Sequence, residues 1–158
     1  MTTLWLADAT ATDALGAALA RTRLIPAVVH LVGDLGAGKS TLARALLRAL
    51  GVTGAIRSPT YTLVERYPLA QGGEAWHLDL YRIADAGELE YLGLDADEVV
   101  LWLVEWPERG SGALPPADLV VALAVDGDGR LARMNAGSPA GQAWLDAMSA
   151  AAGFPGDS

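Results

Sequence analysis

An almost unbroken apolar run, Ala27 to Val32, leads directly into Gly33-Asp34-Leu35-Gly36-Ala37-Gly38-Lys39-Ser40. That segment fits the spacing G-x-x-x-x-G-K-[ST], and the pattern carries a structural demand: a buried strand before it and a helix after it. Both are predicted here. AVVHLV reads as a short strand buried on both faces. Ser40 to Leu50 reads as a helix with Leu42, Ala43, Leu46, Leu47 and Leu50 on one side and Gly51 as its stop. Glycines let the backbone wrap closely around phosphates. The inward N–H groups and the positive end of the helix then favour the anion. Lys39 would reach the β- and γ-phosphates, and Ser40 would offer its hydroxyl to Mg²⁺. The candidate nucleotide contacts are therefore Gly33, Asp34, Leu35, Gly36, Ala37, Gly38, Lys39, Ser40 and Thr41.

The basic residues sharpen that reading. Ten of them are Arg, and Lys39 is the only Lys in the chain. A compact, mobile ammonium suits a phosphate cradle better than a planar guanidinium does. A single Lys also excludes the guanine-reading N/T-K-x-D motif of Ras-like GTPases, which needs a second one. At 158 residues the chain is one ordinary domain, expected over residues 1–152 with a frayed tail over 153–158. It has no Cys, which rules out disulfides, thiolate metal sites and a Cys nucleophile. Its longest apolar runs are far short of the ~20 residues of a membrane helix. Nothing in the first ten residues resembles a signal peptide. A cytoplasmic protein without membrane association is the expectation.

Elsewhere the pattern predicts a helix over Asp8–Arg23, strands over residues 61–67 and 75–82 joined at Gln71–Glu74, and a short helix. The short helix opens on the capping box Asp85-x-x-Glu88 and ends at Gly93. A second buried strand is expected at Val99–Val104. Strands at Leu119–Val125 and Arg130–Asn135 form a hairpin around Asp126–Gly129. A last helix runs from Pro139 to Ala151, with Ser138 as its cap.

A phosphate loop of this kind works with an acid at the end of a neighbouring buried strand. Two candidates stand out. Glu105 follows Val99–Val104 and would lie at the carboxyl edge of a sheet, where ligands bind in α/β folds. Alternation from Trp76 to Arg82 groups His77, Asp79 and Tyr81 on one face. Asp79 could orient a water there, though a plain solvent face competes with that reading. Arg57 to Thr62 holds several hydroxyls, Thr60 among them, that could meet the γ-phosphate or Mg²⁺; a turn leading into a strand explains it equally well. His30 reads as a core histidine, and Trp106 as a wall of the site.

Together these stretches resemble the TsaE (YjeE) family, the small P-loop ATPases of bacterial tRNA threonylcarbamoyladenosine synthesis. The matching segments are GDLGAGKST (33–41), SPTYTLVE (58–65), HLDLYRIAD (77–85), ELEYLGLD (88–95) and LVEWPERG (103–110). The resemblance spans about residues 6 to 136. It implies a single α/β, P-loop NTPase-like domain, with a mixed central sheet flanked by helices and a C-terminal β-hairpin. It implies ATP and Mg²⁺, with Ser40 and Glu105 as metal ligands and Lys39, Asp79 and Glu105 as the catalytic set. The family's adenine pocket, between the first helix and the last hairpin, points to Ala9, Thr10, Gly129 and Arg130. Ala9 departs from the acidic residue often found there. The family works with the partner proteins TsaD and TsaB, and its ATP hydrolysis is thought to reset that pair. Isolated members turn ATP over slowly.

Two other classes compete with this ATPase reading: a small kinase acting on a metabolite, and a non-catalytic nucleotide sensor. A kinase usually carries an Arg-rich lid, and only Arg57, Arg66 and Arg82 lie between the loop helix and Glu105. The net charge of -8 argues against direct nucleic-acid binding. All of that charge resides in residues 83–108, which hold eight acids and no base; outside them the eleven other acids match the eleven bases. This segment is either a solvated face or an electrostatic docking surface for a protein partner, carried by residues such as Glu88, Glu90 and Asp97.

Overall fold

The computed structural model describes residues 1–22, 26–92 and 98–150. Four parallel strands form its middle. β2 (Ala27–Val32) lies between β5 (Val99–Glu105) and β6 (Leu119–Asp126), and β4 (Glu74–Asp79) flanks β5. Antiparallel strands close both sides. β3 (Val64–Pro68) pairs with β4 at one edge, β7 (Gly129–Ala136) pairs with β6, and β1 (Thr2–Leu6) pairs with β7 at the other edge. The spatial order is β1-β7-β6-β2-β5-β4-β3. This is the mixed sheet with a C-terminal hairpin that the resemblance implies. β1 is an addition to the sequence reading. Its alternation of Thr2, Leu4 and Leu6 inward, with Trp5 58% exposed, is the period-two signal of a half-buried edge strand.

Three helices complete the fold: α1 (Ala9–Arg21), α2 (Lys39–Ala49) and α3 (Pro139–Ala150). Residues of all three share one apolar cluster with Val29 and Leu31 of β2, Leu103 of β5 and Val121 of β6. The intervening residues Val28, His30 and Val32 are only partly buried, so β2 is fully covered on one face rather than on both as expected. α1 and α2 approach so closely that Gly16 faces Ala45 with no room for a side chain. Asp8 caps α1 by accepting from the Ala11 N–H at 2.9 Å. Among the described residues no helix is long and apolar enough to cross a membrane.

Both strands expected in the middle of the chain begin or end elsewhere. β3 starts at Val64, not at residue 61. The Leu63 N–H bonds back to the Pro59 carbonyl at 2.9 Å, and Leu63 itself is left-handed (φ 68), so residues 60–63 form a turn. β4 stops at Asp79, not at residue 82, because the Asp79 carboxylate accepts the Tyr81 N–H at 3.1 Å and bends the chain. All of Ala75 to Leu80 is buried, so a solvent face on this strand is excluded. The segment Ala86–Leu92 is a 3-10 helix. Half of its expected capping box forms: Glu88 accepts from the N–H groups of Ala84 and Asp85, whereas Asp85 accepts from Gly87. The predicted helix ends at Arg23, Gly93 and Ala151, and the tail 153–158, lie outside the described residues.

Candidate functional site

β2 delivers the chain to the Gly-rich loop, and α2 takes it away. Gly33 is required by a close approach, since a Cβ there would lie 2.3 Å from the Leu123 carbonyl oxygen. Gly38 caps α2 in the left-handed region (φ 103), where a β-carbon is strained. Lys39 is 4% exposed. Its ammonium donates to the carbonyls of Gly33 and Asp34 and lies 4.5 Å from the centre of the Trp106 ring. Two dipoles and a π-face thus hold the one Lys of the chain at the middle of the loop.

The two candidate acids end adjacent strands. Asp79 of β4 is in register with Glu105 of β5, and Glu105 is in register with Leu31 of β2. Both carboxylates therefore reach the same carboxyl edge of the sheet, beside the loop that β2 feeds. Glu105 is 3% exposed and accepts the Ser40 hydroxyl at 3.0 and 3.2 Å from its two oxygens. The same carboxylate bonds the His77 ring through Nε2. Asp79, 7% exposed, accepts the Thr60 hydroxyl at 3.4 Å as well as the Tyr81 N–H. The Thr60 hydroxyl is in turn 2.7 Å from that of Ser58. Trp106 closes the far wall. It is left-handed (φ 57), opens the 3-10 turn Pro107–Gly110 and packs on Tyr81 with ring centres 5.0 Å apart.

A cleft of ≈ 330 Å³ opens among Lys39, Ser40, Thr60, Asp79, Glu105 and Trp106. Leu35, Gly36, Gly38, Thr41 and Arg130 also line it, whereas Gly33, Asp34 and Ala37 do not. Gly33 packs on Leu123, Asp34 is exposed, and Ala37 is buried in the core. A second cleft of ≈ 180 Å³ lies between α1 and the last hairpin. Ala9, Gly129 and Arg130 line it as expected, but Thr10 is exposed and stands outside it. One residue decides this: α1 turns Thr12, not Thr10, toward the hairpin. Asp8, Thr12 and Asp128 are the polar groups there that sequence reading missed. The acid in the hairpin turn was the available signal. Gly38, Thr41 and Arg130 border both clefts, so the two are adjacent. The Arg130 guanidinium spans it to the Gly36 carbonyl at 3.3 Å.

Among the described residues no group of three His, Cys, Asp or Glu side chains is placed to hold a metal. An ion such as Zn²⁺ draws on a group of that kind. Mg²⁺ is a different case, because it uses one or two protein oxygens together with substrate phosphates. The hydroxyl and carboxylate of Ser40 and Glu105, paired at the foot of the loop, are oxygen donors of that kind. His30 takes no part in this site. Burial pushes its imidazole below the ordinary range, opposed in part by a hydrogen bond with the Pro115 backbone and by the charge of Glu108, and its Nε2 has no hydrogen-bond partner.

The family model for threonylcarbamoyl adenosine biosynthesis protein TsaE matches residues 6–133. The tRNA threonylcarbamoyladenosine biosynthesis protein TsaE of Haemophilus influenzae is 44% identical over 126 residues, covering 77% of this chain and 78% of that protein. Its namesake in Synechocystis is 42% identical over 111 residues, 66% of this chain and 69% of that one. The crystal structure of YdiB from Bacillus subtilis superposes with a TM-score of 0.73 at 25% identity and covers 93% of each chain. The match takes in the loop, β4 and β5 with the acids that end them, and β7 as far as Arg133, so the chain belongs to the TsaE family.

Proposed function

We propose that this chain is a Mg²⁺-dependent ATPase that supports formation of threonylcarbamoyladenosine at tRNA position 37 by binding and resetting a TsaD–TsaB complex. The observation that carries the ATPase reading is the Ser40–Glu105 pair beneath the phosphate loop, with Asp79 in register beside it. The names of its relatives carry the pathway. The negative net charge fits a protein that acts on a partner rather than on RNA itself. A cytoplasmic location follows from that role.

The chemistry is attack by water on the γ-phosphate, in line with the leaving oxygen. The loop N–H groups and Lys39 stabilise the negative charge on the phosphate oxygens. To do so the Lys39 ammonium exchanges the Gly33 and Asp34 carbonyls for phosphate, a short swing of a flexible stem. Ser40 and Glu105 would hold Mg²⁺, which would supply positive charge against the phosphate oxygens. Asp79 uses one acceptor position on each oxygen for Thr60 and Tyr81. A carboxylate has about four such positions, so capacity remains to accept a hydrogen bond from water and orient it. Thr60 ties residues 57–62 to that carboxylate. The base lies in the smaller cleft, where Asp8, Thr12, Asp128 and Arg130 offer the polar contacts that Ala9 cannot.

The deciding experiment follows γ-labelled ATP with and without a TsaD–TsaB pair. Label released only as inorganic phosphate, faster with the pair, is the expected result. Transfer to a metabolite would replace this reading with a kinase. No hydrolysis in either condition, with ATP still bound, would replace it with a sensor.

A further inference from the structure

His77 is a titratable side chain beside the site that the catalytic scheme leaves without a task. It lies on β4, opposite Leu103 of β5 and two residues before Asp79, and it is 2% exposed. Its Nε2 bonds Oε2 of Glu105, the same carboxylate that receives the Ser40 hydroxyl. The geometry points to His77 as a positioning residue: it fixes the orientation of the Glu105 carboxylate that Mg²⁺ and nucleotide require. This inference rests on the metal role assigned to Glu105 above.

Three observations support it. A carboxylate only accepts, so Nε2 carries the hydrogen and the ring orientation is set by this single bond. The other ring nitrogen, Nδ1, is buried with no hydrogen-bond partner. The hydrogen bond from the buried ring therefore goes to Glu105 through Nε2, with no second bond to hold the ring elsewhere. The Glu105 carboxylate is also gripped from both sides, by Ser40 from α2 and by His77 from β4. Ser40 must turn its oxygen toward a cation when one binds. After that, His77 is the side-chain contact that still restrains the carboxylate. Partners of this kind, one step behind a metal ligand, commonly change metal affinity or activity by about 10- to 100-fold.

Two amide variants test the idea without inserting a large apolar group. In His77→Gln the side-chain nitrogen falls near the position of Nε2, and in His77→Asn near that of Nδ1. ATP affinity is measured by calorimetry for each variant, once with excess Mg²⁺ and once in chelator, and Mn²⁺ binding to the nucleotide-loaded protein is read by paramagnetic resonance. His77→Gln should keep the parental gain in affinity from Mg²⁺. His77→Asn should lose about tenfold of that gain, with affinity in chelator unchanged. Equal behaviour of the two variants, whether both parental or both weakened in chelator as well, overturns the positioning role. A parental protein that binds ATP no better with Mg²⁺ than without overturns the metal reading, and this inference with it. A parental metal effect that His77→Asn retains overturns the inference alone.

Discussion

Replacing Gly16 by Ala tests how the two helices that border the smaller cleft are held together. Built on the observed backbone, the new Cβ would lie 2.6 Å from the Ala45 Cβ, 2.9 Å from the Ala45 carbonyl carbon and 2.9 Å from the Leu46 nitrogen. Carbon atoms pack at about 3.5–4.0 Å, so α1 and α2 must separate by roughly 1 Å. Two of the three obstacles are backbone atoms, which no rotamer change relieves. That places the overpacking cost near the upper end of its usual range, about 3 kcal/mol. Ala in place of Gly within a helix returns about 1 kcal/mol. The net loss is about 2 kcal/mol, which for a chain of this size lowers the melting temperature by about 4–8 °C. Calorimetry measures the melting temperature, and urea titration the free energy. Ala45→Gly in the same chain removes the 2.6 Å contact but neither backbone contact, so it should rescue Gly16→Ala only in part. Function should follow stability, because Ala9 and Thr12 of α1 and Thr41 of α2 line the smaller cleft. A shift of α1 should raise the KM for ATP more than it lowers kcat. A Gly16→Ala protein as stable as the parent, or a complete rescue by Ala45→Gly, would refute the close-approach argument.

Further outcomes follow from single contacts. Asp79→Asn should lower the single-turnover rate of ATP hydrolysis by about 100-fold or more while nucleotide affinity holds, since the acceptor that orients water is weakened but the loop is untouched; a parental rate would remove Asp79 from the mechanism. Gly141→Ala should destabilise more than Gly16→Ala, because its Cβ would lie 1.7 Å from the Asp118 carbonyl oxygen, and urea titration ranks the two. His30 predicts a pH effect with a definite sign. Its folded-state value is lowered from 6.5, so the unfolded chain binds the extra proton first and stability falls as pH drops below about 6.5 toward the folded value. His30→Leu should flatten that part of the stability profile, and identical slopes in parent and variant would refute it.

The parallel middle of the sheet was legible because its strands are apolar and bounded by punctuation. Val99–Val104 and Leu119–Val125 are continuous runs, and the Gly-rich loop announces β2 and α2 on either side of it. The misplaced boundaries share a physical cause. Residues 61–63 have the right residues for a strand, but a turn closed from Leu63 to Pro59 takes them out of the sheet. Tyr81 continues the alternation of β4 in sequence, yet the Asp79 carboxylate captures its N–H and ends the strand. Period alone cannot register either side-chain or backbone capture. At the site, Lys39 and Ser40 were visible through a spaced motif, Glu105 through a charge after an apolar run, and Asp79 through the alternation from Trp76 to Arg82. His77 looked like a member of a polar face, and only the pairing of β4 with β5 gives it a partner. Thr12 and Thr10 are indistinguishable by type, and the turn of α1 about its axis chooses between them.

The acidic segment now divides by task. Glu105 is buried in the cleft, Asp85 accepts the Gly87 N–H, and Glu88 accepts two N–H groups at the start of the 3-10 helix. Their charges serve the fold and the site before they serve any encounter. Reversing Glu88 would therefore remove an acceptor from Ala84 and Asp85, and a slower association with a partner would not separate steering from local unwinding. Glu98 and Glu108 are exposed and keep their charge facing solvent. A net field depends on the sum of charges over a Debye length of about 8 Å at physiological salt, rather than on which acid carries them. Asp95, Asp97 and the Glu90 side chain lie outside the described residues, so the docking idea stands as an expectation whose signature is an association rate that falls with ionic strength while ATP affinity in the cleft does not.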